Sequence, residues 1–378
     1  LLGAGYFALL LATTDIGFPR DEGFYFTAGE QYSYWFDQLF DDPSSAFTKK
    51  AVDKHFAYNP EHPALPKILY GLSWRLFGTM RDAGADPGVR AWYQRGGPPD
   101  PILGLVREST AMRLPAMFIA SVLVGMLFLF GTQFFNRRVG LASALILATM
   151  PHFFWHAHLA CFDVPVAAMW FLSAYAFFRA ERGGWGWAVL TAVALGLAVS
   201  TKLNAYFLGP TFVVYVICSR ALGVRVPVGE GRTGLGVVAL LRIAVAILVI
   251  VPLVHYALWP KLWFEPIEHL KWYFARHAKH EYYWAYFFGT LYTRPPFPMS
   301  FPFVMSAMTL PAPTVLLVVA GILRATWEVL TRVGGRWCER LWNEDATRPV
   351  REPGLMLFVF LNFLIPFVDR VAYRHSLK

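Results

Sequence analysis

A chain of 378 residues that is 56% hydrophobic, 17% aromatic and only 16% charged is too apolar for a soluble enzyme and far too long for a single buried core. Its net charge of +9 raises the question of a nucleic-acid partner, but the basic residues fall in short connections between apolar runs, not along one face, and no nucleic acid is expected. The composition describes an integral membrane protein surrounded by lipid. Many short, closely spaced runs make it an all-α polytopic bundle, because backbone in lipid must satisfy its own hydrogen bonds.

The first run, LLGAGYFALLLATT, covers residues 1–14. Leu1 is not Met and the run is short, so it reads as a span whose start is missing. No basic leader or small-residue cleavage site suggests a signal peptide. Directly after it comes PRDEGFYF, with the adjacent carboxylates Asp21 and Glu22. Residues 15–111 form one long outer loop, with nine acids against four basic residues in 15–61. Within it, HPALPKILYGLSWRLFG (62–78) places Leu65, Ile68, Leu69, Leu72 and Leu76 on one helical face, whereas Lys67 and Arg75 suit hydrocarbon badly. An interfacial helix lying in the membrane plane reconciles the two. Residues 81–104, rich in Gly, Pro and Asp, read as irregular.

Further runs follow at 112–131, 140–157, 164–178, 187–201, 205–218, 238–257, 304–323 and 355–368, about nine spans in one transmembrane domain over 1–378, with truncation at both ends a consideration. Arg137, Arg138, Arg179, Arg182, Arg220, Arg225 and Arg232 occupy one set of connections. The alternating set, 158–163 and 202–204, holds Lys202 alone, so seven against one places the Arg-rich connections in the cytoplasm. Residues 258–303 then form an aromatic, His-rich outer loop, either an interfacial belt or a surface that stacks on sugar or grips lipid. The connection 324–354, with six Arg and five acids, returns to the cytoplasm.

Cys161, Cys218 and Cys338 show no ligand spacing and fall at different predicted depths, so neither a disulfide framework nor a zinc motif follows from them. No Walker loop, GxGxxG after a strand, GxSxG elbow or HExxH is present, which leaves nucleotide binding, serine hydrolysis and zincin chemistry without support. What the topology does gather, on the outer side, is a set of ionisable residues: Asp21, Glu22, Glu61, His62, Arg113, His152, His156, His158, Asp163, Lys202 and His255. Any one of them has an ordinary reading as an anchor at a span end. Together, cations that hold phosphate and a carboxylate that handles a proton suit chemistry on an anionic lipid headgroup. His152 and His156, four apart, share a helical face, and Asp163 could join them in a divalent metal site. Polar residues facing a water-filled cavity are the alternative.

DEGFYF after the first span, NPEHPALPKILYG, AMRLPAMFIASVLVGMLFLF, the RR turn, LILATMPHFFWHAHLACFDVPVAAMWFLSAYAFFRA and LGLAVSTKLNAYF occur in an order that resembles the GT-C glycosyltransferases, and within them the bacterial protein O-mannosyltransferase and aminoarabinose transferase superfamily. The resemblance covers roughly residues 15–215. It implies a GT-C-like bundle in a bacterial inner membrane, with its site on the periplasmic side. The implied enzyme moves a sugar from a polyprenyl-phosphate carrier to an acceptor protein, glycan or lipid, inverting the anomeric centre. On that resemblance Asp21 is the general base and Glu22 its support, Glu61 and His62 line the site, and Arg113 lies near the donor phosphate. Asp163 is the second acidic position and Lys202 a site-facing lysine. A divalent ion accompanies some members and not others. Two other classes compete: a lipid-linked glycan transporter, which would show mid-span charges and internal repeats, and a non-catalytic GT-C-like subunit or scaffold.

Overall fold

The computed structural model describes residues 1–79, 98, 100–182, 184–221, 227–228, 232–233, 237–278, 284–293 and 298–338. The expected span at 355–368, Arg225 and most of the irregular stretch 81–104 lie outside them. Helix dominates: α1 (Leu2–Ala12), α2 (Glu22–Asp41), α3 (Pro43–Ala46), α4 (Lys49–His55), α5 (Leu65–Phe77), α6 (Glu108–Phe134), α7 (Arg137–Thr149), α8 (Pro151–Ala157), α9 (Asp163–Arg182), α10 (Trp185–Val199), α11 (Leu208–Ala221), α12 (Val237–Leu258), α13 (Pro266–Ala278), α14 (Phe301–Thr309) and α15 (Ala312–Cys338). Among the described residues two small antiparallel hairpins, β1–β2 (Pro227–Val228 with Arg232–Thr233) and β3–β4 (Ala285–Phe287 with Thr290–Tyr292), make up the sheet. The all-α membrane architecture expected from the sequence is therefore the one observed.

By length and composition α6 and α12 can each cross a membrane, and α7 with α8, bent by 69° at Met150–Pro151, makes a third candidate. Shorter apolar helices occur at Leu2–Ala12, Trp185–Val199, Leu203–Ser219 and Ala312–Arg324. Two expected runs and one expected connection differ in detail. The run 140–157 is two helices, because Pro151 has no N–H to continue the ladder and starts a new helix at its first turn. The run 304–323 is likewise divided, at Leu310–Pro311, into α14 and α15. The helix then continues to Cys338, so the first part of the expected connection 324–354 is helical.

The chain forms two compact units, one of Leu1–Phe177, Ala188–Ala205 and Val245–Lys279, the other of Phe178–Trp187, Tyr206–Ala244 and His280–Lys378. All the candidate site residues belong to the first. In it α6 packs against α1, α5 and α7, and α2 lies along α5. One core cluster joins Tyr6 and Leu10 of α1 to Met117, Ala120, Leu123 and Val124 of α6, with Ala144, Phe153, Ala157, Val164 and Ala168 beyond. A second joins Phe26, Tyr70, Trp74, Met112, Ala116, Ala160 and Phe162. In the second unit Phe178 packs on Tyr215, and Phe287 of the β3–β4 hairpin packs on Phe301.

The interfacial-helix residues 62–78 form α5 with the leucine stripe outward: Leu69 and Leu72 are exposed, while Pro66, Lys67, Tyr70, Gly71, Ser73 and Trp74 are buried. The two cations that fitted hydrocarbon poorly are satisfied by protein. Arg75 bonds to Asp37 at 2.5 Å and donates to Ser33 O of α2, and Lys67 turns inward. Small residues bring α2 and α5 into backbone contact, for a Cβ added to Gly71 would lie 2.0 Å from Gly29 O. The same helix repairs a defect in α6. Pro115 cannot donate to Ala111 O, and Ser73 Oγ donates to that oxygen at 2.6 Å instead.

Candidate active site

The site assembles around the start of α2, the turn between α8 and α9, and the loop before α5. Glu22 is fully buried, and Arg113 of α6, 1% exposed, forks it: Nε to Oε1 at 2.8 Å and Nη2 to Oε2 at 2.5 Å. The remaining Arg113 contacts donate to Ile16 O and Gly17 O, and Phe18 covers the guanidinium at 4.5 Å. Glu22 Oε1 also accepts the Ala160 N–H at 2.9 Å. An ion pair with both partners out of water persists only when its hydrogen bonds are met, as they are here. Arg113 therefore ties the end of α1, the start of α2, α6 and the 158–162 turn together. Its guanidinium is engaged inside protein by Glu22 and by the Ile16 and Gly17 carbonyls.

Asp21, one residue earlier, is more than half exposed and pairs with exposed Arg20 at 3.0 Å. A one-residue step along the helix thus separates a buried structural carboxylate from one that meets solvent. Between them and the turn sits Tyr25, which sequence reasoning quoted within DEGFYF but did not single out. Its ring packs on Phe162 at 4.1 Å and near His62 at 6.1 Å. Burial raises the phenol pKa, and the negative charges of Asp21, Cys161, Asp163 and Glu61 push it further the same way. Acidic groups from three separate segments are therefore all felt at one hydroxyl. An aromatic side chain with several carboxylate neighbours at the head of an acidic motif was the signal that could have marked it.

The loop before α5 is built on Lys67. Its ammonium, fully buried, donates to Asn59 O at 2.5 Å, His62 O at 2.8 Å and Asn59 Oδ1 at 3.3 Å, and lies 5.0 Å from the Tyr32 ring. Burial draws its pKa down to about 7 against the opposing pull of Glu61. Asn59 takes a positive φ of 51°, which asparagine tolerates, and its Nδ2 holds Glu61 Oε1 at 2.7 Å. His62 packs against Phe162 at 4.9 Å and His277 at 6.2 Å. Glu61 and His62 are thus presented together by a loop threaded on a buried cation.

Lys202 reaches Asp163 Oδ1 at 2.6 Å, joining the α10–α11 connection to the first residue of α9. Of the expected metal set, His156 and Asp163 do approach each other, but the third donor close to them is Cys161, within 4.8 Å. His152 is beside His156, ring centroids 4.5 Å apart, and outside that group. Sequence spacing gave Cys161 no ligand motif; it comes next to His156 because the 158–162 turn folds back. Two other histidines of the outer-side ionisable list make their contacts inside the protein. His158, fully buried, bridges Phe154 O and Thr13 Oγ1, and His255, also buried, meets Ser200 Oγ at 3.1 Å.

The comparisons with known proteins agree with this architecture. Residues 102–245 match the family model described as dolichyl-phosphate-mannose-protein mannosyltransferase. The resemblance to GT-C fold glycosyltransferases holds on that ground, and the matched segment includes Arg113, the α8–α9 turn and Lys202. No curated protein and no solved structure matches the chain. The chain is accordingly similar to membrane mannosyltransferase-type glycosyltransferases, which use a lipid-linked sugar donor and an acceptor in general.

Proposed function

We propose that the protein transfers a sugar from a polyprenyl-phosphate carrier to an acceptor hydroxyl on the outer face of the membrane, inverting the anomeric carbon. The observation that supports this reading is the packing of the Tyr25 ring beside Phe162 of the α8–α9 turn and His62 of the loop before α5, at a place where Asp21 alone of the adjacent pair reaches solvent. Asp21 takes the acceptor proton as the acceptor oxygen bonds to the anomeric carbon. The bond from that carbon to the phosphate oxygen breaks, and the carrier leaves with the electron pair as polyprenyl phosphate. Negative charge grows on the departing phosphate, so a cation there lowers the barrier. Lys202 is the cation given that role in this reading, and its partial exposure beside Asp163 supports it. Arg113 acts through Glu22 as a positioning residue that holds the start of α2, and with it Asp21, against the 158–162 turn. Glu61, His62 and Tyr25 line the sugar-binding surface.

The test is reconstitution of the full chain in vesicles with synthetic polyprenyl-phosphate mannose or aminoarabinose and a hydroxyl acceptor, with release of polyprenyl phosphate as readout. Asp21→Asn is expected to lose turnover by at least about a hundredfold, as removal of a general base does, while still eluting as a monodisperse species and still binding donor. Near-normal turnover in that variant removes Asp21 from the role.

A further inference from the structure

The turn between α8 and α9 carries a donor set of which transfer chemistry uses Asp163 alone. His156 Nδ1 and Cys161 Sγ stand 3.8 Å apart, and with an Asp163 carboxylate oxygen all three donors lie within 4.8 Å of one another. A tetrahedral zinc ion with bonds of about 2.3 Å to sulfur and about 2.0 Å to nitrogen separates those two ligands by roughly 3.5 Å, so that pair needs a small inward movement, and the half-exposed Asp163 carboxylate a larger one. Burial and the neighbouring Asp163 carboxylate push the Cys161 thiol up to about 12, so its proton leaves only when a cation takes its place. Lys202 holds Asp163 Oδ1, an outer contact of the kind that orients a carboxylate ligand while leaving its second oxygen for the ion.

From this geometry we infer that His156, Cys161 and Asp163 bind one zinc-type divalent cation, with His152 or water as fourth ligand. The set of one nitrogen, one sulfur and one oxygen suits zinc and disfavours magnesium or calcium, which take oxygen ligands. On binding, the Cys161 S–H bond breaks, its proton passes to solvent, and a metal–thiolate bond forms without change of oxidation state. Asp163 is half exposed and leaves an entry path. The ion closes a turn that already donates the Ala160 N–H to Glu22 and accepts the Tyr70 hydroxyl at Cys161 O, so its role is to fix that turn. This inference does not depend on sugar transfer.

Cobalt titration of the purified full chain in detergent tests it. One equivalent of Co2+ is expected to give a thiolate-to-cobalt charge-transfer band in the near ultraviolet, displaced by Zn2+. The band disappears in Cys161→Ser, weakens in His156→Gln and survives in Cys218→Ser. Zinc raises the thermal midpoint of the unaltered protein and leaves that of Cys161→Ser where it was. Substoichiometric uptake by the unaltered protein, or a band that persists in a monodisperse Cys161→Ser, overturns the assignment. The first of these readouts needs no variant to fold.

Discussion

Two adjacent carboxylates show how much a single residue step decides. Glu22 and Asp21 carry the same charge, yet Glu22 is fully buried under Arg113 and Asp21 is largely exposed. Truncating one member of a buried, hydrogen-bonded pair strands the other charge in a medium that cannot solvate it. Glu22→Gln is therefore expected to cost about 3–5 kcal/mol, read as a lowered unfolding midpoint in detergent. Combining it with Arg113→Met should cost less than the two single changes added together, because the stranded charge goes with it. Additive losses would show that the pair contributes no coupling. Lys67 obeys the same logic with a different solution. Its three oxygen acceptors, two backbone carbonyls and the Asn59 side-chain amide oxygen, come from the loop carrying Glu61 and His62, so neutral oxygens meet the ammonium directly.

At the scale of elements, the crossing of α2 and α5 depends on glycine. Gly71 has no room for a Cβ, which would stand 2.0 Å from Gly29 O, whereas one at Gly29 would stand 3.1 Å from Gly71 N and Lys67 O. Helices that approach this closely must separate to admit a methyl group, and overpacking of that kind costs about 1–3 kcal/mol. Gly71→Ala is expected to lower the thermal midpoint and to reduce turnover, since α2 carries Asp21 and Glu22 into the site. Gly29→Ala should do so less, and Gly5→Ala, with nothing within 4 Å, should do neither. The ordering of the three midpoints is the check. The α5 leucine stripe was legible as an outward face from its spacing alone. The buried face was not, because Lys67, Gly71 and Ser73 look polar or neutral until α2 and α6 supply their partners.

The whole molecule sets which side of the membrane the site faces. Arg137 and Arg138 open α7, and Asp163 and Lys202 meet at the opposite connections of the expected topology. Single cysteines introduced into a background lacking Cys161, Cys218 and Cys338 test this. A cysteine at Arg20 or Lys261 should react with an impermeant maleimide added outside, and one at Arg138 should react only after the membrane is opened. Labelling of all three from one side would overturn the orientation and, with it, the placing of the transfer on the outer face.

Composition and spacing were enough for the membrane class, the helical architecture and the resemblance to GT-C glycosyltransferases, since each depends on properties that accumulate locally along a chain: hydropathy, breaker residues and ordered short motifs. They also gathered the acidic and basic candidates into one list. They could not tell Asp21 from Glu22 in burial, reveal that Arg113 is spent on Glu22, or bring Cys161 to His156. Those facts depend on which backbone groups and side chains from remote segments arrive at the same point, and a contact between residues 91 or 138 positions apart leaves no periodic trace in the sequence. Only the folded chain, where α6 and the 158–162 turn close on the first residue of α2, decides which charges are structural and which are left to meet a substrate.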